Sequence, residues 1–142
     1  MIREERDPAF WERIAAHPEV GPKMGGAVRW DHLIPSPLAL PLATEHGGYI
    51  FVRMDALGRV FDLHAAFVPS GWGRVASRAL RSSLGLLGPW QLINVIEVAG
   101  NWRSRPPRSF GFRPAGPEFD GYRTWFLTRE AWENSPAKRR TE

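Results

Sequence analysis

The chain has 142 residues, 43% of them hydrophobic, which suits one globular domain with a single core. It contains no cysteine, which excludes disulfides, thiolate zinc sites and a cysteine nucleophile. The net charge of +4 comes almost entirely from arginine, which binds phosphates well, but it is too small to indicate nucleic-acid binding alone. No apolar run approaches the ~20 residues of a membrane span, and the charged start of the chain is not a signal peptide, so a cytoplasmic protein without a membrane partner is predicted.

The first quarter of the chain predicts a strand, a helix and a loop. Residues 1–6 are typical of a short edge strand. A helix is predicted over residues 7–17, because Asp7 is a good N-cap and Pro8 then occupies the first helical position. Residues 18–37 are rich in proline and glycine and predict an irregular loop with a short strand around 28–30.

The middle of the chain predicts three antiparallel strands and then a strand–helix–strand unit. The three strands cover residues 38–44, 49–54 and 60–68. In the third strand, alternation places one apolar set, Phe61, Leu63, Ala65 and Phe67, opposite Asp62, His64 and Ala66. A glycine-rich loop at 69–73, a helix over 74–87 and a strand over 90–98 follow, and this order predicts a parallel strand pair.

The remainder predicts a short turn and a final hairpin. Residues 100–109 form at most one helical turn, and strands are predicted at 110–113 and 122–128. The fold class is therefore α/β (α+β), with a mixed sheet of about six or seven strands and helices on both faces. We expect one domain over residues 1–134 and a flexible polar tail over residues 135–142.

The glycine-rich loop before the second long helix is the candidate binding feature. A helix N-terminus attracts anions through its free N–H groups and its dipole, and glycines let a phosphate approach the backbone. The loop has neither a Walker sequence nor a Gly-x-Gly-x-x-Gly fingerprint. By itself it is equally compatible with a tight strand-to-helix turn.

The order of these elements, together with three local stretches, resembles the GNAT family of N-acetyltransferases over roughly residues 1–128. Leu63-His64-Ala65-Ala66-Phe67-Val68-Pro69 is similar to the fourth GNAT strand where it enters the cofactor loop. Asn101 followed by Gly111-Phe112-Arg113 resembles the Asn…Gly-Phe signature of the family. Glu45-x-Gly47-Gly48 is similar to the hairpin between the second and third strands.

The resemblance implies acetyl-CoA as co-substrate and direct attack by an amine, in a ternary complex, on the acetyl group. The acceptor would be a small-molecule or peptide amine of unknown identity. The resemblance assigns the pantetheine arm to backbone groups of Ala66, Phe67 and Val68. It assigns the pyrophosphate to N–H groups of the following loop, and these belong to Gly71, Trp72, Gly73, Arg74, Val75 and Ala76. Asn101 would contact the cofactor or cap the turn that follows it.

His64 is the candidate general base, because histidine accepts protons near neutral pH. Asp62 would orient His64 or act as the base itself; the alternative for His64 is a structural hydrogen bond to a strand neighbour. Glu97, late in a buried strand, is predicted to form a salt bridge with an arginine. No metal site is predicted, because His17, His32 and His46 lack ligand spacing.

Seven tryptophans are a large number for so short a chain. Trp11, Trp90 and Trp125 fall at positions predicted for the core. Trp30 and Trp72 fall in loops, where they are predicted to line a substrate pocket or a protein contact.

Departures from the family pattern leave two alternatives open. Trp72, Val75 and Ser77 occupy the conserved loop positions of the family, and Pro107 replaces its usual tyrosine acid. One alternative is therefore an inactive GNAT-fold phage-type structural or assembly protein, with a homodimer or virion-protein partner. The other is a basic nucleic-acid-binding module that uses the arginines of residues 103–108 beside Trp102.

Overall fold

A computed structural model describes residues 2–21, 28–98, 101 and 105–139. The strands are β1 Arg3–Glu4, β2 Ala39–Thr44, β3 Gly47–Arg53, β4 Val60–Phe67, β5 Leu92–Val98, β6 Arg113–Pro114 and β7 Tyr122–Thr128. The helices are α1 Pro8–Ala15, α2 Trp30–Leu33, α3 Arg74–Leu86, α4 Arg129–Glu133 and α5 Pro136–Arg139, with 3₁₀ turns at Pro69–Gly71 and Arg108–Phe110.

All seven strands belong to one mixed sheet, in the order β1-β2-β3-β4-β5-β7-β6. β4 and β5 form a parallel pair, whereas β1–β2, β2–β3, β5–β7 and β6–β7 are antiparallel. This confirms the predicted α/β class, the mixed sheet, the parallel pair and the short edge strand at the start of the chain. Two compact units divide the chain, Met1–Val52 with His64–Leu86 and Arg53–Leu63 with Leu87–Glu142.

In the first unit, α1 begins as predicted. The Asp7 carboxylate accepts a hydrogen bond from the N–H of Ala9 at 3.0 Å, and Pro8 follows at the first helical position. The buried face of α1 packs into a core with α2, β2 and β3 and the end of β4. The buried members of that core are Phe10, Trp11, Ile14, Val20, Trp30, Ile34, Ala39, Ala43, Ile50 and Ala66.

The opposite face of β3 and β4 in this unit meets α3. Tyr49, one residue before Ile50, donates its hydroxyl to the Ala76 carbonyl at 3.1 Å. The Tyr49 ring also meets the Phe67 ring edge-on at 5.0 Å. Because successive residues of a strand point to opposite faces, the first unit has helices on both faces of its part of the sheet, as predicted.

The strand predicted around residues 28–30 is wrong. Trp30 begins the short helix α2, where Trp30 and Ile34 are both buried. The indole of Trp30 stacks on that of Trp11, with ring centroids 6.1 Å apart. Burial of an aromatic pair outweighs the weak strand propensity of three residues, so Trp30 belongs to the core rather than to a substrate pocket.

The second unit has its core on one face of β5 and β7. Trp90, Ile93, Trp125 and Leu127 are almost fully buried there, which confirms the predicted core positions of Trp90 and Trp125. Ile93 pairs with Leu127 across the two strands. Trp132 of α4 stacks on Phe110 at 5.2 Å.

Three parts of the second unit differ from expectation. The strand predicted over residues 110–113 is a 3₁₀ turn followed by the two-residue β6, separated by Gly111 at φ +103°. A Cβ on Gly111 would lie 2.9 Å from the Ala131 carbonyl, so this close approach and the positive φ interrupt the strand. α4 was not predicted; the hydroxyl of Thr128 caps it by accepting from the N–H of Ala131.

Residues 135–139, expected in a flexible polar tail, are folded. Ser135 is buried and its hydroxyl accepts from the N–H of Lys138, while Ala137 of α5 is buried as well. The domain boundary expected at residue 134 stays a prediction, and the last three residues lie outside the described part. None of the helices within the described ranges is long and apolar enough to cross a membrane.

Candidate active site

Most of the predicted site residues lie in one stretch of the first unit, from His64 to Ala76. His64 is exposed, and Ala66, two residues later on the same face, packs against the core under α1 and α2. The strand therefore holds His64 beside a packed core while its imidazole remains open to solvent. This placement fits a general base, and the role of His64 stays a prediction.

Hydrogen bonds show which backbone groups of β4 face its neighbour β3. The N–H of Met54 donates to the Val60 carbonyl, and the N–H of Val68 donates to the His46 carbonyl at 3.0 Å. Because backbone groups alternate along a strand, those of Ala66 point toward β3 as well. The groups of Ala65 and Phe67 then lie on the other edge of β4.

That arrangement corrects part of the expected pantetheine contact. Val68 has both backbone groups engaged, because its carbonyl also accepts from the N–H of Gly71 at 2.8 Å. By the alternation above, the Ala66 backbone groups face β3, and their contact with a cofactor stays a prediction. Of the three expected residues, Phe67 directs its N–H to the other edge of β4, while its carbonyl accepts from the Trp72 indole. Ala65, which was not expected, lies at the same edge. β4 pairs with β5 only through its first four residues, up to Leu63.

The loop after β4 divides the expected pyrophosphate ligands into two groups. The N–H groups of Gly71 and Trp72 close the 3₁₀ turn by donating to the carbonyls of Val68 and Pro69. Gly71 is buried, and a Cβ there would lie 2.7 Å from the Cβ of His46. Gly71 therefore permits close packing rather than the approach of a phosphate.

The second group, at the start of α3, has the properties of an anion site. The Gly73 carbonyl accepts the first helical bond, from the N–H of Ser77 at 2.9 Å. The N–H groups of Gly73, Arg74, Val75 and Ala76 donate to no acceptor in the part of the chain that the structure describes. Free N–H groups at a helix start, together with the dipole, favour a bound anion.

The space in front of this helix start is open. Gly73 has φ +76°, and no atom lies within 4 Å of a Cβ built on it. Arg74 is exposed at the first helical position, and no carboxylate among the described residues forms an ion pair with it. A positive side chain there is unfavourable for the isolated helix, because it opposes the dipole, and a bound phosphate would remove that cost.

Two aromatic side chains secure the loop. The indole N–H of Trp72 donates to the Phe67 carbonyl at 3.1 Å, so Trp72 braces β4 against the loop. Tyr49, which the sequence analysis did not single out, ties β3 to the first turn of α3 through the Ala76 carbonyl. Burial raises the pKa of Tyr49 well above its ordinary value, which keeps the phenol a donor. The sequence signal that could have identified Tyr49 was a tyrosine within an otherwise apolar strand.

The remaining predicted site residues belong to the second unit. Asp62 is half-buried and accepts a hydrogen bond from the side-chain amide of Asn94 at 3.5 Å. The N–H of Asn101 donates to the Val98 carbonyl at 3.0 Å. Trp102 and Arg103 of the basic patch lie outside the described residues.

Glu97 forms the predicted salt bridge. Its carboxylate accepts from the Arg105 guanidinium at 2.7 Å and from the Trp125 indole at 3.0 Å. Burial alone would raise the pKa of Glu97, but these two bonds and the positive charge of Arg105 outweigh it, so the pKa lies below its usual value.

A cleft of the second unit contains none of the predicted site residues. Its volume is about 340 Å³, and its lining comprises Arg108, Gly111, Phe112, Arg113, Pro114 and Trp125. Among the described residues, no group of three or more histidine, aspartate or glutamate side chains is arranged to hold a metal ion.

Neither a protein-family model nor a curated protein sequence matches the chain. Solved structures do. A probable acetyltransferase superposes with a TM-score of 0.67 at 18% identity, covering 92% of this chain and 93% of its own. RimJ of Mycobacterium smegmatis, solved with CoA-disulfide, gives a TM-score of 0.64 at 19% identity. That match covers 99% of this chain and 87% of RimJ. A variant of the spermidine N-acetyltransferase SpeG from Vibrio cholerae gives a TM-score of 0.64 at 15% identity, and the match covers 100% of this chain and 99% of that protein.

The chain has the GNAT fold. The likeness extends over nearly the whole chain, so the resemblance read from the order of the elements is confirmed at the level of the fold. In the GNAT fold seen here, the stretch from His64 to Ala76 contains an exposed imidazole, an open strand edge and four free N–H groups. The phage-type resemblance is not supported by these structures.

Proposed function

We propose that the chain is an acetyl-CoA-dependent N-acetyltransferase. The observation that carries the proposal is the start of α3, where four consecutive N–H groups, from Gly73 to Ala76, have no acceptor in the described chain. A helix start of this kind suits the pyrophosphate of coenzyme A. The GNAT fold and the RimJ structure solved with CoA-disulfide support the same choice of ligand.

Residues of this stretch would hold two parts of the cofactor. N–H groups of residues 73–76 would bind the pyrophosphate, and the Arg74 guanidinium would add a charge-assisted contact. The backbone of Ala65 and the N–H of Phe67, on the edge of β4 away from β3, would hold the pantetheine arm. When bound, acetyl-CoA supplies a thioester whose carbonyl carbon an amine attacks, with a C–N bond forming and the C–S bond breaking.

His64 is the group that removes the proton from the amine. A protonated amine has no free electron pair, so a neutral imidazole near the acceptor promotes attack. Asp62, which the sequence analysis gave as the alternative base, stays a prediction in that role. The acceptor is an amine, as the name of the SpeG neighbour suggests, and spermidine is the first candidate to assay.

Two substitutions at one position test the proposal. Arg74→Pro removes one free N–H and the guanidinium, and proline is tolerated at a helix start. Arg74→Ala removes only the guanidinium. Calorimetric titration should show one-to-one binding of acetyl-CoA and CoA to the wild type, with Arg74→Pro weaker than Arg74→Ala by about 10-fold, the usual loss for one charge-assisted hydrogen bond.

Arg78→Ala serves as the control, because Arg78 is exposed on α3 one turn beyond the free N–H groups. Its affinity for acetyl-CoA should stay close to that of the wild type. Absence of binding to the wild type at millimolar acetyl-CoA would refute the proposal. Equal affinities for the two Arg74 variants would place the phosphate elsewhere.

A further inference from the structure

A hydroxyl, an imidazole and a carboxylate lie next to one another at the loop that precedes α3. The Nδ1 atom of His46 lies 2.9 Å from the Oγ atom of Ser70. The Nε2 atom of the same ring lies 3.3 Å from the Oε1 atom of Glu45. Ser70 and Glu45 are exposed and His46 is about one-third exposed, so solutes can reach the hydroxyl.

The backbone fixes the His46 and Ser70 positions of this Glu45–His46–Ser70 array. In the β2–β3 turn, the Thr44 hydroxyl accepts from the N–H of His46 and donates to the Gly47 carbonyl. The His46 carbonyl accepts from the N–H of Val68. Two backbone bonds that span Ser70 close its 3₁₀ turn. A side-chain pair held in this way needs little reorganisation before it reacts.

The order of the three groups sets the position of the protons. The Glu45 carboxylate, 3.3 Å from Nε2, attracts a proton to that ring atom through its charge. With the proton on Nε2, Nδ1 carries the lone pair and can accept the proton of the Ser70 hydroxyl, which lies 2.9 Å away. A hydroxyl hydrogen-bonded to an imidazole that has a carboxylate on its other side is an arrangement that activates a nucleophile.

We infer that Ser70 is a nucleophile that takes acyl groups from activated carboxylic esters. The Ser70 Oγ atom forms a bond to the acyl carbon, its proton passes to Nδ1 of His46, and the bond to the leaving alcohol breaks. That proton then goes to the departing oxygen. Water attacks the acyl-serine, again giving its proton to His46, which returns it to Ser70 as the carboxylic acid leaves.

The position of Ser70 in the chain supports this chemistry. It lies three residues before Gly73, the first of the residues at the start of α3 whose N–H groups lack an acceptor. The positive end of that helix lies in the same loop and favours negative charge developing on an ester oxygen. Both proposals use the start of α3, but this activity needs neither His64 nor acetyl-CoA, so an assay without coenzyme A tests it separately from acetyl transfer.

Hydrolysis of p-nitrophenyl acetate, without coenzyme A, tests the inference. The full-length wild type should release p-nitrophenolate faster than buffer, and acid-quenched protein should gain the mass of one acetyl group, located on Ser70 by peptide mapping. Ser70→Ala should lose both signals. His46→Ala should lower the rate by about 100-fold, the usual contribution of a general base.

Ser82→Ala and His32→Ala are matched controls, since both side chains are exposed and outside the array. They should react like the wild type. The rate of Glu45→Gln should lie between those of the wild type and His46→Ala, because this variant keeps the imidazole base but loses the carboxylate beside it. A wild type no faster than buffer, an unchanged rate in Ser70→Ala, or an acetyl group mapped only to other residues would each overturn the inference.

Discussion

His64 lies on an exposed part of β4, and we propose that its imidazole removes the proton from the acceptor amine. Its face of the strand is determined by Ala66, which packs into the core two residues later. A solvent-exposed histidine exchanges protons freely, which suits a base that must be regenerated in each turnover. The strand provides rigidity, and the open surroundings leave room for an acceptor.

Replacing His64 by Ala should lower kcat for acetyl transfer by about 100-fold, because a general base typically contributes at least this much. Calorimetric affinity for acetyl-CoA should not change, since the base contacts the amine and not the cofactor. The acid limb of the pH–rate profile should disappear as well. His32→Ala is the control, and an unchanged kcat in His64→Ala would remove His64 from the mechanism.

Glu97 shows how a buried carboxylate becomes structural rather than catalytic. Arg105 and Trp125 both donate to it, and its pKa lies below the ordinary value although burial opposes this. A carboxyl group with a lowered folded-state pKa stabilises the fold above its unfolded pKa, about 4.3. That contribution is lost as the pH falls through the folded-state pKa.

Glu97→Gln should therefore lower the free energy of unfolding at pH 7 by about 1–3 kcal/mol, the cost of a weakened charged network. The difference from the wild type should shrink as the pH falls below about 4, where the wild-type carboxyl also becomes neutral. Urea unfolding across this range measures the effect, with exposed Glu118→Gln as control. A difference that stays constant with pH would contradict the ionised state of Glu97.

At the scale of elements, the position of α3 decides whether its free N–H groups form a site. The helix is held to β3 through the Tyr49 hydroxyl, and the loop before it is held to β4 through the Trp72 indole. Both bonds end on backbone carbonyls, of Ala76 and Phe67. They therefore position the loop backbone directly, which is what a phosphate site built from N–H groups requires.

Tyr49→Phe should weaken the fold by about 1 kcal/mol, because it removes one largely buried hydrogen bond while keeping the ring that packs on Phe67. The affinity for acetyl-CoA should fall as well, since the first turn of α3 loses its tie to the sheet. Chemical unfolding and calorimetry measure the two effects. Tyr122→Phe, at an exposed tyrosine, should change neither quantity, and the prediction fails if the two variants behave alike.

α2 illustrates what local sequence patterns leave undecided. Four residues are too few to show a helical period, and the proline- and glycine-rich surroundings favour a loop. Trp30 is nevertheless buried because it finds Trp11, nineteen positions earlier in the chain, as a stacking partner. A contact between elements, rather than propensity, determines this helix.

At the scale of the whole molecule, binding of acetyl-CoA should stabilise the folded state. A ligand at about 100 times its Kd adds about 2.7 kcal/mol to the free energy of unfolding. For a chain of this length that corresponds to a rise in Tm on the order of 10 °C. Thermal unfolding with acetyl-CoA, CoA or adenosine measures it, and only the two ligands with a pyrophosphate should have the effect.

The Arg74→Pro variant separates binding at the start of α3 from non-specific stabilisation. Its Tm should rise less than that of the wild type at the same acetyl-CoA concentration. A rise of equal size with adenosine, or an unchanged response in Arg74→Pro, would contradict a pyrophosphate site at this helix.

The sequence alone determined the features that depend on neighbours close in the chain. Asp7 and Pro8 predicted the start of α1, alternation predicted the two faces of β4, and the order strand, glycine-rich loop, helix and strand predicted the parallel pair. The resulting order of elements was enough to indicate the GNAT fold. The stretch from His64 to Ala76 was found in the same way, because strand, glycine loop and helix follow one another directly.

Only the tertiary structure decided which groups within that stretch are available for binding. The His46 carbonyl engages Val68, the packing of His46 accounts for Gly71, and Ser70 meets an imidazole 24 residues away in the chain. No local pattern reports such contacts. A backbone group is free or engaged according to what folding brings beside it, so the division between the closed 3₁₀ turn and the open start of α3 emerges only once the strands have paired.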